Sequence, residues 1–279
     1  MVFLLDALAI KRTAAKNLLR FGAIAVNGTV VRQFDHPLVR GDEVTVGNPR
    51  AAAAASRLDH AGIQSVYEDD ALFVVDKPSG LLTVATDREK RDTLFVRLNA
   101  YLKGRGPSRQ TRVWVVHRLD QETSGLVLFA KSELVKQRLQ EAWPTVKKFY
   151  LAVVEGGPTT DKGTISNYLT ENRKSLKVFA SDQPTPEARI AITHFRLLKT
   201  QDDRSLVEVR LETGRKHQIR VHLAGMGCPV VGDVRYGAIS NASGRLALHA
   251  CRLDLSHPIT CEPLSLHSPL PSALRRLVS

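Results

Sequence analysis

Two stretches of this sequence set reactive side chains at close spacing. The first is His117-Arg118-Leu119-Asp120-Gln121-Glu122-Thr123-Ser124-Gly125, followed by the apolar run Leu126 to Ala130. A strand-like run from Val113 to Val116 precedes it. A polar loop between two apolar strands is a common way to fix catalytic groups. Arg118 and Asp120 stand two apart in it, and Thr123-Ser124-Gly125 can close a turn. An isolated Asp in such a loop more often caps its own turn, so spacing alone leaves both readings open.

The second stretch is Leu211-Glu212-Thr213-Gly214-Arg215-Lys216-His217-Gln218-Ile219-Arg220-Val221-His222. A strand ends, Thr213-Gly214 turns, and a short helix is expected, with Arg215 and Ile219 on one face. A helix N-terminus beside Arg, Lys and His suits an anion. A basic surface turn fits the same residues.

Other chemistries are less well served. A glycoside hydrolase needs two carboxylates flanking the bond, and the second candidate, Glu122, has nothing to mark it as an acid. His217 and His222 are five apart and diverge on a helix. His249 and Cys251 can share a strand face, which is ordinary packing. No glycine-rich phosphate loop is present.

The elements that must hold these residues belong to a chain of 279 residues, about two domains' worth. At 43% apolar and 24% charged it can bury a full core, which excludes a disordered chain or a disulfide-stapled miniprotein. Forty Lys+Arg against 28 Asp+Glu leave +12, a balance that favours a polyanionic partner. Cys228, Cys251 and Cys261 form no CxxC pair and suggest reduced thiols in a cytoplasmic protein. Met1-Val2-Phe3-Leu4-Leu5 lacks a basic flank and is cut by Asp6, unlike a signal peptide. No apolar run approaches the roughly 20 residues of a membrane span, so no membrane partner is expected.

A composition shift at residues 48–60, with alanine from 51 to 55, reads as a linker. It separates a unit at 1–47 from one at 61–279. In the first, Leu4, Leu5, Leu8 and Ile10 mark a helix. Thr13 is expected to cap a second helix through Leu19, stopped by Phe21-Gly22. Ile24-Ala25-Val26, Asn27-Gly28 and Thr29-Val30-Val31 read as a hairpin, and residues 39–46 as a further turn and strand. Arg12, Lys16 and Arg20 recur every four residues and would project three cations from one helix face toward phosphates.

In the second unit, strands are expected at 64–67, 72–76, 125–130, 149–154 and 205–211. Ser132 is expected to cap a helix through about Glu141. Strands and helices do not alternate strictly, which predicts an α+β fold with a mixed, largely antiparallel sheet and flanking helices. The tail after Asp254, with four prolines, reads as an ordered surface wrap.

The row of cations, the hairpin and the order of elements over residues 1–47 resemble the S-four RNA-binding domain, a small α/β module. The resemblance rests on Leu5-Asp6, Ala15, Leu18 and residues 21–28. The segments 117–125 and 213–222 resemble the signature motifs of the RluA-type pseudouridine synthases. Asp76-Lys77-Pro78-Ser79-Gly80-Leu81 is similar to that family's opening motif, and residues 148–156 to its tyrosine-bearing strand.

The resemblance implies isomerisation of uridine in RNA to pseudouridine, without cofactor or metal. It gives Asp120 the place of the catalytic aspartate. It makes Arg215 the cation beside Asp120, Tyr150 the ring stacked on uracil, and Ile219 an apolar contact to the base. Arg118 would fill the space left by a flipped nucleotide. Arg12, Lys16 and Arg20 would contact RNA elsewhere. The expected partner is RNA, ribosomal RNA of the large subunit ahead of transfer RNA, bound by a monomer. A non-catalytic RNA-binding protein is the rival reading.

Overall fold

The computed structural model describes residues 2–8, 10–20, 23–27, 29–46, 63–104, 112–172, 175 and 177–279. The chain divides into two compact units, residues 1–64 with 95–113 and residues 65–94 with 114–279. The expected linker at 48–60, the Phe21-Gly22 stop and Gly28 lie outside the described residues.

The smaller unit opens with helices α1 (Val2–Leu8) and α2 (Arg12–Arg20). Strands β1 (Ile24–Val26), β2 (Thr29–Val30) and β3 (Val44–Val46) follow, in the antiparallel order β2-β1-β3. Asn27 takes a left-handed φ of 48° between paired Val26 and Thr29, the backbone a tight hairpin requires. Its side chain reaches Asp42 and the Glu43 amide at 2.8 and 3.0 Å, tying the approach to β3 onto the turn. Leu4, Ala15, Leu18, Leu19, Ile24 and Val26 form one core. Thr13 is a residue inside α2, not its cap, because the helix begins one residue earlier. The Ala14 and Ala15 amides bond the Lys11 carbonyl instead. Helix α3 (Leu94–Lys103) falls almost wholly in this unit.

The larger unit is built on a sheet of β4 (Gln64–Glu68), β5 (Leu72–Lys77), β6 (Trp114–Val115), β7 (Ser124–Ala130), β8 (Lys147–Glu155), β9 (Lys162–Asn172), β10 (Lys177–Ser181), β11 (Arg189–Gln201), β12 (Arg204–Leu211), β13 (Leu248–Ser256) and β14 (Pro263–His267). Its order is β10-β9-β11-β12-β8-β13-β7-β5-β4, with β14 beside β13 and β6 beside β7. Among the described pairings between strands of this sheet only β13 with β7 is parallel, so the sheet is mixed and mostly antiparallel, as the sequence predicts. β12 alternates half-buried and buried residues along its length, the pattern of a strand with one face on a core. Helix α4 (Glu133–Ala142) starts where Ser132 Oγ accepts the Val135 amide at 3.2 Å. Helix α5 (Gln218–Gly225) follows β12. The C-terminal segment does more than wrap the surface: β14 pairs with β13, and Leu274 and Val278 are buried in the core under α5. Among the described residues no helix is long and apolar enough to cross a membrane.

Candidate active site

The loop carrying Asp120 joins β6 to β7. Its own residues cannot hold it, since only the Thr123 amide returns to a carbonyl within it, that of Asp120 at 3.2 Å. The end of β5 and the segment after it do the holding. Lys77 is wholly buried, and its Nζ donates to the carbonyls of Pro78, Leu81 and Gln121 at 2.9, 2.7 and 3.0 Å. Burial pushes this amine down to about 7, while the carboxylates of Glu122, Asp120 and Asp76 pull the other way. Ser79 Oγ donates to the Glu122 carbonyl at 2.6 Å, and Gly80 exchanges hydrogen bonds with Gln121. Thr83 Oγ1 bonds both the amide and the carbonyl of Leu119. Asp120 is thus flanked by anchored residues while its own side chain stays about a quarter exposed.

Gly125 shows why this motif ends as it does. Its φ is +115°, and a Cβ there would lie 2.3 Å from the Ala250 carbonyl oxygen, so β7 can meet β13 only through glycine. Beside it a chain of polar groups, buried at Ser124, His249 and Ser268, continues the support. Arg245 donates to Ser124 Oγ, which meets His249, and His249 meets Ser268, which donates to Asp76. His117, first residue of the motif, is a structural pin. Its ring stacks on Trp143 at 4.4 Å, its Nε2 accepts the Leu128 amide, and burial lowers its pKa to about 3.

The opposite wall is the turn after β12 and the start of α5. Gln218 is buried and locks it: Oε1 accepts from Thr213 Oγ1 and the Arg215 amide, and Nε2 donates to the Ile192 carbonyl and Thr193. His217 sits in the left-handed region at φ 53°. Its Nε2 lies 3.8 Å from Asp120 Oδ2. Arg220 Nη1 lies 4.0 Å from the same oxygen. The guanidinium of Arg220 is fixed from behind by two bonds to Asp233, at 2.6 and 2.7 Å, and lies over the Tyr236 ring at 5.0 Å. Burial works against the charge on Arg220, but the bonds and charge of Asp233 outweigh it and raise its pKa. Burial, against the pull of Asp120, lowers His217 to about 4, so the ring is neutral at pH 7. Tyr150 is pushed well up by burial and then by the Asp120 charge, so its phenol keeps its proton.

Arg118, Asp120, Tyr150, Arg215 and Ile219, all singled out in the sequence, line one cavity of about 90 Å³. That is far below the roughly 300–1,000 Å³ of a typical small-molecule pocket and suits one planar group presented by a larger molecule. The structure differs on one role. Arg215 is exposed and its Nε donates to the Ile190 carbonyl at 3.1 Å, so the guanidinium beside Asp120 is that of Arg220. The cause is local: α5 begins at Gln218, so Arg215 lies in the turn and shares no helix face with Ile219. Arg220 carried a readable signal, being a cation between apolar Ile219 and Val221 that can be buried only with a partner. Asp233 and Tyr236 carried none.

In the smaller unit Arg12, Lys16 and Arg20 are exposed on α2, while Ala15, Leu18 and Leu19 face its core. The row borders a shallow depression shared with Arg32 and the exposed ring of Phe34.

Residues 71–225 match the family model described as RNA pseudouridylate synthase. An uncharacterized RNA pseudouridine synthase of Bacillus subtilis is 34% identical over 271 residues, covering 96% of this chain and 88% of the relative. The ribosomal large subunit pseudouridine synthase D of Xanthomonas campestris is 33% identical over 291 residues, covering 96% and 84%. Among solved structures, human RNA Pseudouridylate Synthase Domain Containing 4 aligns with a TM-score of 0.66 at 25% identity, covering 82% of this chain and 96% of that one.

Proposed function

The chain belongs to the RNA pseudouridylate synthase family, and from that premise we propose that it isomerises specific uridines of large-subunit ribosomal RNA with Asp120 as catalytic residue. The observation that carries this is the Asp120 carboxylate held on an anchored loop, facing Arg220 and neutral His217 across a cavity with room for one base. In the reaction the C1′–N1 bond breaks, the uracil turns, and C5 bonds to C1′. The C5 proton leaves and N1 regains one, so atoms balance without a redox partner. Asp120 serves either by attacking C1′ or by removing the C2′ proton to give a glycal. Both routes use a carboxylate next to a fixed cation.

The target uridine must leave its stack to reach this cavity, and Arg118, exposed at the loop, is placed to fill the gap. Tyr150, with its proton retained, offers an aromatic face and Ile219 an apolar contact for the extruded ring. Residues 1–47 act as an S-four-like RNA-binding domain through Arg12, Lys16 and Arg20. Ribosomal RNA is favoured over transfer RNA because relatives named as ribosomal large subunit synthases match nearly the whole chain at 30–33% identity.

The test is release of tritium from RNA labelled at uracil C5, wild type beside Asp120→Ala. Release from large-subunit RNA by the wild type alone is expected, with RNA affinity and its salt slope unchanged in the variant. Release from transfer RNA only would overturn the substrate assignment. Tight binding of both RNAs with release from neither would leave an RNA-binding protein.

A further inference from the structure

Tyr236 does not line the cavity, yet it joins three elements around it. Its oxygen accepts the Val178 amide of β10 at 3.0 Å. The same oxygen lies 2.8 Å from Nδ1 of His217. Its ring meets the imidazole edge-on at 5.6 Å and lies under the Arg220 guanidinium. The loop that carries it is fixed: Gly232 has φ +83°, and a Cβ there would lie 2.2 Å from the Arg245 carbonyl oxygen.

A phenol has one proton to give. The Val178 amide already donates to the oxygen, and the Tyr236 O–H is left to donate in turn. Nδ1 of His217 stands at hydrogen-bond distance to receive it. A neutral imidazole that accepts at Nδ1 carries its proton at Nε2. That nitrogen is the one turned toward Asp120 Oδ2, 3.8 Å away.

Resting on Asp120 as the catalytic residue, we infer that Tyr236 is a positioning residue: it fixes His217 as the Nε2–H tautomer, with that N–H aimed at the Asp120 carboxylate. The strained backbone of His217 is consistent with such a function, since a left-handed φ at a residue other than glycine persists where surrounding contacts impose it. Burial of the imidazole supports the neutral form on which the argument depends. The opposite tautomer would place a lone pair against the carboxylate and leave the phenol proton without this acceptor.

The experiment is ¹⁵N NMR of the histidine rings in the full chain, with His217 assigned by its loss in His217→Gln. One Nε2–H tautomer is expected in the wild type and a mixture in Tyr236→Phe. Turnover in the tritium assay is expected to fall about tenfold in Tyr236→Phe with KM unchanged, the effect of a lost hydrogen bond felt in the transition state. His217→Gln presents an amide N–H at the Nε2 position without help from Tyr236. In that background Tyr236→Phe should cost less than about twofold. An Nδ1–H tautomer in the wild type, or equal losses in both backgrounds, would overturn the inference. The spectrum does not depend on activity, so failure of the tautomer and failure of Asp120 as catalytic residue are separate results.

Discussion

The molecule holds cations in two very different ways. Arg220 has a side chain only 10% exposed, donates two hydrogen bonds to Asp233 and has an aromatic ring beneath it. Arg12, Lys16 and Arg20 lie exposed on one face of a nine-residue helix whose other face packs the small core. A charge that must stabilise a reacting centre gains from being immobile and dry, because no solvent has to reorganise around it. A charge that meets a phosphate backbone gains from reach, since the backbone offers many equivalent partners. On the proposed function the difference separates chemistry from affinity, and each arrangement makes its own prediction.

The largest effect is expected at the buried pair. Arg220→Met would strand Asp233, whose side chain is 1% exposed, and cost about 3–5 kcal/mol in chemical denaturation. The double variant Arg220→Met/Asp233→Leu should recover most of that stability, because an apolar pair can replace a buried ion pair. It should not recover tritium release. Recovery of both would make Arg220 a purely structural residue and erase the contrast with the α2 row.

The larger unit should also respond to acid. His222 is buried, bonded to Thr193 Oγ1 and Asn167 Oδ1 at 2.8 and 2.9 Å, and burial lowers its pKa to about 4. The unfolded chain takes up this proton near pH 6.5, the folded one only near 4. The contribution is therefore fully present above 6.5 and lost as pH falls toward 4, at about 1.4 kcal/mol per pH unit. His217, at about 4, adds to the same window. Urea unfolding of His222→Gln from pH 7 to 4.5 should show a limb shallower by one proton. An unchanged slope would mean that His222 already titrates normally in the fold.

Much of this was legible in the sequence where local chemistry decides structure. Ser132 caps its helix, Asn27 turns its hairpin, and β12 alternates as written. The Asp120 loop could be located because its glycine and polar residues are demanded by contacts at fixed positions. Strands β9 and β11 were not legible. β9 buries only Leu169 fully, so no apolar alternation marks it. β11 carries a bulge between Leu197 and Lys199 that breaks the alternation in its last third. Leu94, Leu98 and Leu102 recur every fourth residue, the helical period of α3. Within the site, the apolar neighbours Ile219 and Val221 mark Arg220 for burial, but residue types alone do not say whether it or Arg215 faces Asp120. That depended on where α5 begins, and the left-handed His217 delays it to Gln218. Asp233 and Tyr236 reach the site only through tertiary contacts, which no spacing encodes.

The smallest effect belongs to the α2 row and is visible only through salt. Each phosphate contact contributes about 0.7–0.9 to the slope of log K against log salt. Lys16→Gln should then change RNA affinity by only about threefold over a fourfold change in salt. Replacing Arg12, Lys16 and Arg20 together with Gln should flatten the slope by about 2–3, while turnover at saturating RNA stays at the wild-type value. Arg220→Lys makes the complementary case: the charge stays and the two-pronged bond to Asp233 is lost, so turnover should drop with the salt slope intact. If the triple variant keeps the full slope, the α2 row is a solvated helix face, and the affinity for RNA must come from cations of the larger unit. If Arg220→Lys alters the slope as well, the buried guanidinium also meets phosphate, and the division between a cation for chemistry and cations for binding fails at its stronger end.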